Sequence, residues 1–547
     1  MTIGEAALTG EMAKPMPADR FRPSPGSVLT AIPAGMILLL IVFFAVDVPF
    51  MDDWAIVPLM RSIQMHTAHL SDLTGQQNEH RYPVPKLVLT VVALASHWNL
   101  RLQLVINFLL AVATFLIFLK IARRSRLPAS LATTANVASA IFFFSLRQYE
   151  NWIWGIALVW FAVNFFFAAA LYLLSRETSS STRDVLLAGL MCACATFSGA
   201  HGAFTWLALL PLLFSLRFTS ARWRLIALWL AMAAACGAAY LSGLSRENNP
   251  IPSPRAAASF FLTLIGNGVT GDPVQAAIAG FALVAAVILA LAITIRKREQ
   301  SVLPWLVTTA FVFLFAAAVT YGRGFRGLEA ATASRYAAVS SLLLVALSQI
   351  GAILLREARR PLRVMMAILI LPAGTLLAST RGLLELTRGL TEKRVAGKQC
   401  VSLIHYLPSP AADHCFELLL PDDKATGLYG LTANLEQMNV RRAQNVAFAG
   451  TESRTQNRMP KAAFSAAAIR IRGSVSDRSI PILFARFDQR QTFFATARVD
   501  HDSGLWNLEI RRREIPSGSR FVSFWKYEES RRELVGVTPP IPIDQGL

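Results

Sequence analysis

Charge is scarce in this chain. Only 16% of its 547 residues are Asp, Glu, Lys or Arg, and 34 acids face 53 bases. A soluble domain usually carries about 25% charged residues, so a water-soluble protein of this length is excluded. The spans between loops hold almost no ionisable residues, which counts against a proton-coupled carrier. No internal repeat of the transporter kind is visible. Cysteine is also sparse, and three of the five, Cys192, Cys194 and Cys236, fall in apolar runs where they serve as small packing residues. What is abundant is apolar sequence, at 54%. Many runs reach about 20 residues, enough to cross a hydrocarbon core at 1.5 Å per residue. The net charge of +19 does not indicate nucleic acid. Most basic residues before position 364 sit in short loops between apolar runs, where membrane orientation demands them.

The polar stretch 1–27 is too long and too mixed for the n-region of a cleaved signal peptide, and Val28–Val48 reads as a retained first span. Lys14, Arg20 and Arg22 place the tail inside, and so do Lys120, Arg123, Arg124 and Arg126 for the next basic loop. That parity permits one return span, Arg101–Leu119. Pro83–Trp98 is then a surface-lying or re-entrant helix within a long outer loop, 49–100. The remaining spans alternate: Leu127–Leu146, Ile153–Leu174, Val185–Ser198, Ala203–Leu216, Leu225–Leu244, Pro273–Ile295, Val302–Tyr321, Tyr336–Leu355 and Val364–Ala378. Val185–Ser198 and Ala203–Leu216 are short for spans. Inner loops are basic throughout, with Arg176 and Arg183, then Arg217, Arg222 and Arg224, then Arg296-Lys297-Arg298, then Arg356 to Arg363. The expectation is an all-α polytopic membrane protein of about eleven spans, N-terminus in and C-terminus out. An outer loop, Ser245–Asp272, holds Asn248-Asn249-Pro250.

Charge parity puts five polar clusters on the outer side. They are Asp52-Asp53, Glu79-His80-Arg81, Arg147 to Trp152, Ser198 to Gly202, and Arg323 to Arg335-Tyr336. Loop ends are normally polar, but five clusters on one side favour a shared site. Asp52 and Asp53 are adjacent, so their side chains diverge and one of them faces the pocket. Such a carboxylate suits a general base or a ligand for a divalent cation, Mg or Mn, with Asp53 and Glu79 as the candidate pair. Glu79, His80 and Glu150 add acid or ligand groups. Arg81, Arg323 and Arg335 suit phosphate, because guanidinium presents paired donors. Tyr336 adds a hydroxyl, and His201 is either a ligand or a polar group satisfied between helices. Trp152, with Trp54, Trp154 and Trp206, has two readings: a stacking surface for a sugar, or ordinary interfacial aromatics.

From Ser379 the composition shifts to mixed charge. A helical stretch, Thr380–Lys398, precedes alternating segments that read as strands: Ala467–Arg472, Pro481–Phe487, Thr492–Val499, Leu505–Arg511 and Arg520–Tyr527. The expected division is a tail over 1–27, a membrane body over 28–380 and an extracytoplasmic α+β, β-rich domain over 381–547. Cys400 and Cys415 fall in this outer part and are expected to form a disulfide. Metal binding by Cys415 with His414, beside Asp413, needs further ligands.

A first span running into an outer loop with an acidic pair, then a surface helix and a multispan body, resembles the GT-C superfamily. These are integral-membrane glycosyltransferases that use polyprenyl-phosphate or pyrophosphate-linked sugars. The architecture is similar to bacterial lipid A aminoarabinose transferases and protein O-mannosyltransferases over about residues 28–380. The resemblance implies that Asp52-Asp53 supplies the essential acid, with Glu79 as the second. It implies transfer from a polyprenyl-phosphate sugar donor to a glycan, lipid or protein acceptor, with inversion at the anomeric carbon, at the outer face of a bacterial inner membrane. No WWD motif is present, which argues against N-glycosylation. A polysaccharide polymerase or ligase, a lipid-linked glycan transporter and a non-enzymatic assembly protein remain alternatives.

Overall fold

The computed structural model describes residues 25–176, 182–215, 221–245, 249–408, 415, 417–420, 425–438, 440, 446–451, 460–465, 467–488 and 490–543. Lys14, Arg20, Arg22, Arg217, Asn248, Asp413 and His414 lie outside the described residues. Among the described residues, nine helices are long and apolar enough to cross a membrane, from Pro25–Phe44 to Pro361–Ser402. The chain is a multi-pass helical membrane protein with a β-rich C-terminal region.

The expected count of eleven spans differs from this at one place. Val185–Ser198 and Ala203–Leu216 correspond to helices Thr182–Thr196, of 15 residues, and Phe204–Ser215, of 12. At 1.5 Å per residue these are about 18–23 Å long, against a hydrocarbon core of about 30 Å. They meet in a tight reversal at Gly202, where a Cβ would collide with the Ala195 carbonyl. Ser198, His201 and Gly202 are accordingly buried. Pro83–Ala95 is a helix of 13 residues, also too short to span.

The stretch Ser245–Asp272 is not simply a loop. It contains the helix Pro254–Gly266, capped by the Ser253 side chain and folded back on Pro273–Lys297. The two backbones touch because Gly266 and Gly280 lack a Cβ; either one would strike the facing helix's carbonyls. The last span and the expected outer helix form a single rod, Pro361–Ser402, of 42 residues. Its length, about 63 Å, exceeds the hydrocarbon core roughly twofold, so its second half extends past the core and carries the β-rich C-terminal region.

That region holds two sheets. One has the order β1 (Ala447–Thr451), β8 (Glu533–Gly536), β7 (Phe521–Glu528), β4 (Ile482–Phe487) and β5 (Phe493–Arg498), with β9 (Ile541–Pro542) also paired to β7. The other is antiparallel: β2 (Lys461–Phe464), β3 (Ala468–Ser474) and β6 (Leu505–Arg511). Alternation in β6 buries Trp506, Leu508 and Ile510, and Trp506 packs on Phe524 of β7 with ring centroids 4.3 Å apart. The opposite face of the larger sheet, with Phe484, Phe493 and Trp525, joins the same continuous apolar core as the membrane helices. Burial on both faces explains why β4 is apolar almost throughout.

The junction is stapled. Cys400 and Cys415 are disulfide-bonded with Cα atoms 5.9 Å apart. Beyond the bridge, the Leu419 side chain fills the space that a Cβ at Gly397 would need. The Leu419 carbonyl accepts the Met51 N–H at 2.7 Å, so the C-terminal region grips the chain just after the first helix. Closing a loop of this size is worth roughly 3 kcal/mol. Replacing both cysteines by serine is expected to lower the first thermal transition of the purified chain and to expose 400–420 to proteolysis. Unchanged melting and cleavage would show that the bridge does not hold the junction.

Candidate functional site

The site rests on a buried carboxylate. After the first helix, the chain turns at Met51, whose φ of 49° is left-handed, and enters a short 3-10 turn, Met51–Ile56. Asp53 Oδ2 accepts the Phe50 N–H at 3.0 Å, while Oδ1 accepts the Ile156 N–H at 2.8 Å from across the bundle. Arg394, from the Pro361–Ser402 rod, lies wholly buried beside it. Its guanidinium donates to the carbonyls of Ile153, Val46 (3.1 Å) and Val48 (3.4 Å), and its charge acts on Asp53 and Asp47. Burial pushes the Asp53 carboxyl up to about 7, against the pull of Arg394 and of the two N–H groups. Both Asp53 oxygens are committed to the backbone.

Asp52 diverges from its neighbour, as adjacency requires, and is half-buried rather than buried. Its charge is felt by His80 and Tyr82, so it faces the far end of the same loop. That end is a tight bridge between Gln77 and His80, with N–H···O distances of 2.8 and 3.0 Å. Asn78, at its turn, is left-handed with φ 50°, a conformation asparagine tolerates better than most residues. Tyr82 donates to Gln77 Oε1, and burial, then both aspartates, pushes its phenol up. His80 is pushed down by burial and by Arg323, with Glu79 opposing.

Glu79 Oε2 accepts from Arg323 Nη2 at 3.2 Å, and Arg323 Nη1 donates to Tyr336 Oη at 2.9 Å. Tyr336 meets the edge of Trp160, which stacks on His201 with centroids 4.8 Å apart. Arg81 donates its backbone N–H to Tyr240 Oη at 3.3 Å. Among the described residues, His80 Nδ1, Arg81 Nε and His201 Nε2 are buried with no hydrogen-bond partner. Polar atoms left so are costly, and two of them belong to histidines close enough for the charge of His80 to act on His201.

Arg335 extends the cluster. Its guanidinium lies over the Tyr336 ring at 5.3 Å, and its charge acts on Glu150 together with that of Arg147. Asn151 Nδ2 donates to the Arg335 carbonyl at 3.1 Å, and Ser334 Oγ accepts the Glu150 N–H at 3.2 Å. Arg147 is spent on structure, bonding the Asn267 carbonyl and Oδ1 at 3.2 and 2.7 Å and the Thr332 carbonyl. All five polar clusters therefore meet in one assembly.

One sequence expectation needs correction. Trp152 is fully buried, donates to the Ser145 carbonyl at 3.0 Å and stacks between Phe144 and Phe161; it is a core residue, not a sugar platform. Asp53 is buried with each oxygen accepting one backbone N–H, and Glu79 Oε2 accepts from Arg323. No group of three or more His, Cys, Asp or Glu suited to a metal occurs among the described residues. Sequence reasoning missed Trp160, Tyr82, Tyr240 and Arg394. Only Tyr82 had a local signal, following directly on Glu79-His80-Arg81.

No protein-family profile matches the chain, and no curated protein does. Among solved structures, it is similar to the crystal structure of ArnT from Cupriavidus metallidurans in the apo state. Identity is 13% and the TM-score 0.40, over 78% of this chain and 83% of that one.

The raised Asp53 carboxyl makes stability depend on pH. Below the ordinary value of 3.8 the group is protonated folded and unfolded alike. Between there and about 7 the unfolded chain releases the proton while the folded one keeps it, so stability falls as pH rises through that window. The melting temperature is expected to fall more steeply from pH 5 to 7.5 in wild type than in Asp53→Asn. Equal slopes would show that Asp53 is not the titrating group.

Proposed function

We propose that this chain is a membrane glycosyltransferase that moves a sugar from a polyprenyl-phosphate carrier to an acceptor at the outer face of a bacterial inner membrane. One observation carries the reading. A half-exposed carboxylate, Asp52, acts on His80 together with Glu79 and Arg323, whose bonded chain runs on to Tyr336, and Arg81 with its unpartnered Nε follows directly, all at one end of the helix bundle. The opposite end is the basic one. The helix Leu100–Arg123 starts at the site, where Leu100 N–H donates to Asp47 at 2.9 Å. It ends in Lys120, Arg123 and Arg124, about 36 Å away. By the positive-inside rule that end faces the cytoplasm, which supports an outward-facing site.

In this reading the lipid phosphate is held by Arg81, Arg323 and Arg335, whose planar donors match phosphate oxygens. Asp52 takes the proton of the acceptor hydroxyl, and the hydroxyl oxygen attacks the anomeric carbon. The bond from that carbon to the phosphate oxygen breaks, and the electron pair leaves with the phosphate, stabilised by the arginines. Attack opposite the leaving group inverts the anomeric centre. Trp160 and His201 form the side wall against which a sugar ring would lie. Asp53 orients Asp52 without touching substrate. The chemistry suits a hexosyl or pentosyl donor, with a glycan, lipid or protein acceptor.

The test is mass spectrometry of polyprenyl-phosphate-linked sugars in cells lacking the protein, restored with wild type, Glu79→Gln or Arg323→Met. A lipid-linked sugar is expected to accumulate in the null strain and to clear with wild type. Both variants are expected to clear it at least ~100-fold more slowly. A pool unchanged in every strain would reject a lipid-linked donor.

A further inference from the structure

A second cleft lies away from the loop site, between the outer half of the Pro361–Ser402 rod and the β2-β3-β6 sheet. Its volume is about 610 Å³, within the range of pockets that take small ligands. Glu392 lines it from the rod, while Arg472, Arg498, His501, Trp506 and Asn507 line it from the sheet region.

The charges in the cleft do not cancel. Asp500 is consumed by its own turn, accepting the Ser503 N–H and Oγ–H at 2.8 and 2.7 Å. Glu392 is shared between Arg388 at 3.3 Å and Arg498 at 4.0 Å. Arg388 also donates to the His501 ring at 2.7 Å, which leaves that nitrogen as an acceptor. Arg472 has no carboxylate partner among the described residues. Its place in the sheet explains why: it sits between Lys461 on β2 and Asn507 on β6. Two residues away, Arg470 faces Glu509 and bonds it at 2.8 and 3.4 Å. A like charge directly opposite is destabilising in a sheet, so Arg472 beside Lys461 is a cost without an internal return.

Trp506 forms the inner edge of the cleft. Trp506 is 3% exposed, and its Nε1–H has no partner among the described residues. The indole lies over Gly473, where a Cβ would come within 3.0 Å of Nε1. Trp506 turns inward onto Phe524, so what the sheet offers the cleft is the unpaired Arg472 guanidinium beside the Asn507 amide, cross-strand neighbours on its outward face.

We propose that this cleft binds an anionic segment of a glycan, with Arg472 and Arg498 holding the acidic group and Asn507 and His501 meeting hydroxyls. The ligand is the acceptor of the proposed transfer, and in that respect the inference rests on that reading. The connection is physical. Glu392 faces the cleft, and Arg394, two residues along the same helix and so on its far side, clamps the catalytic loop. One rod is a wall of both spaces.

The experiment is calorimetric titration of the full-length, detergent-solubilised protein with three probes: tetragalacturonic acid, maltotetraose and inorganic phosphate. Wild type is expected to bind the acidic oligosaccharide at least tenfold more tightly than either of the others. Arg472→Glu and Arg472→Gln are expected to lose that binding at least tenfold with melting no lower than wild type, since Arg472 is exposed and faces Lys461. Glu79→Gln, altered only in the loop site, is expected to bind like wild type. Equal binding of acidic and neutral chains, phosphate binding as tightly as the acidic chain, or wild-type binding by Arg472→Glu would each overturn the proposal. Binding is read without turnover, so a failed transfer assay and a failed binding assay are separate results.

Discussion

The architecture depends on two buried groups of opposite charge, Asp53 and Arg394, that act on each other through space while bonding to the backbone. Asp53 and Arg394 bring opposite charges into an apolar setting, where an uncompensated ion costs several kcal/mol. Each is satisfied mainly by backbone: two N–H groups for the carboxylate, and three carbonyls for the guanidinium. Those five groups belong to residues 46–50 and 153–156. The pair therefore fixes the exit of the first helix, the start of the outer loop and the approach to the Gly155–Leu174 span at one point. Removing either charge would leave the other buried and its backbone partners unpaired. The adjacent Asp52 inherits its direction from this clamp, because neighbours on a tight turn cannot face the same way.

The same clamp joins the membrane body to the outer region. Arg394 is carried on a helix that begins as a span and ends at Cys400, where the disulfide turns the chain back toward Leu419 and its bond to Met51. Asp52 is thus bracketed by Met51, held from outside, and Asp53, held from inside. Left-handed residues immediately precede both acidic groups of the site, Met51 before Asp52 and Asn78 before Glu79. Strained backbone persists where surroundings over-determine it, and here it aims two carboxyls into one space.

Much of this was legible in the sequence, for identifiable reasons. Apolar run length gave nine of the eleven expected spans, basic-loop parity gave a non-spanning Pro83–Trp98, and period-two alternation gave β3 to β7 nearly residue for residue. Parity also put the five polar clusters on one side. What was illegible is contact. Trp152 and Trp160 are equivalent in a string, yet one is sealed between phenylalanines and the other stacks on His201. Asp52 and Asp53 differ only in which side of a turn they occupy. Arg394 looked like one more charge on an outer helix, because nothing local reveals a carbonyl cage built from residues almost 350 positions earlier. The Pro254–Gly266 helix was masked by its prolines and its position in a loop, although Gly266 and Gly280 were the means of its packing.

Separating the two aspartates tests this account most directly. Asp52→Ala and Asp53→Ala, purified in parallel, would be compared for thermal melting and for clearance of the lipid-linked sugar pool. The account predicts that Asp52→Ala melts like wild type and fails to clear the pool, whereas Asp53→Ala melts at a markedly lower temperature. An Asp53→Ala protein with wild-type melting, or an Asp52→Ala protein that clears the pool normally, would contradict it.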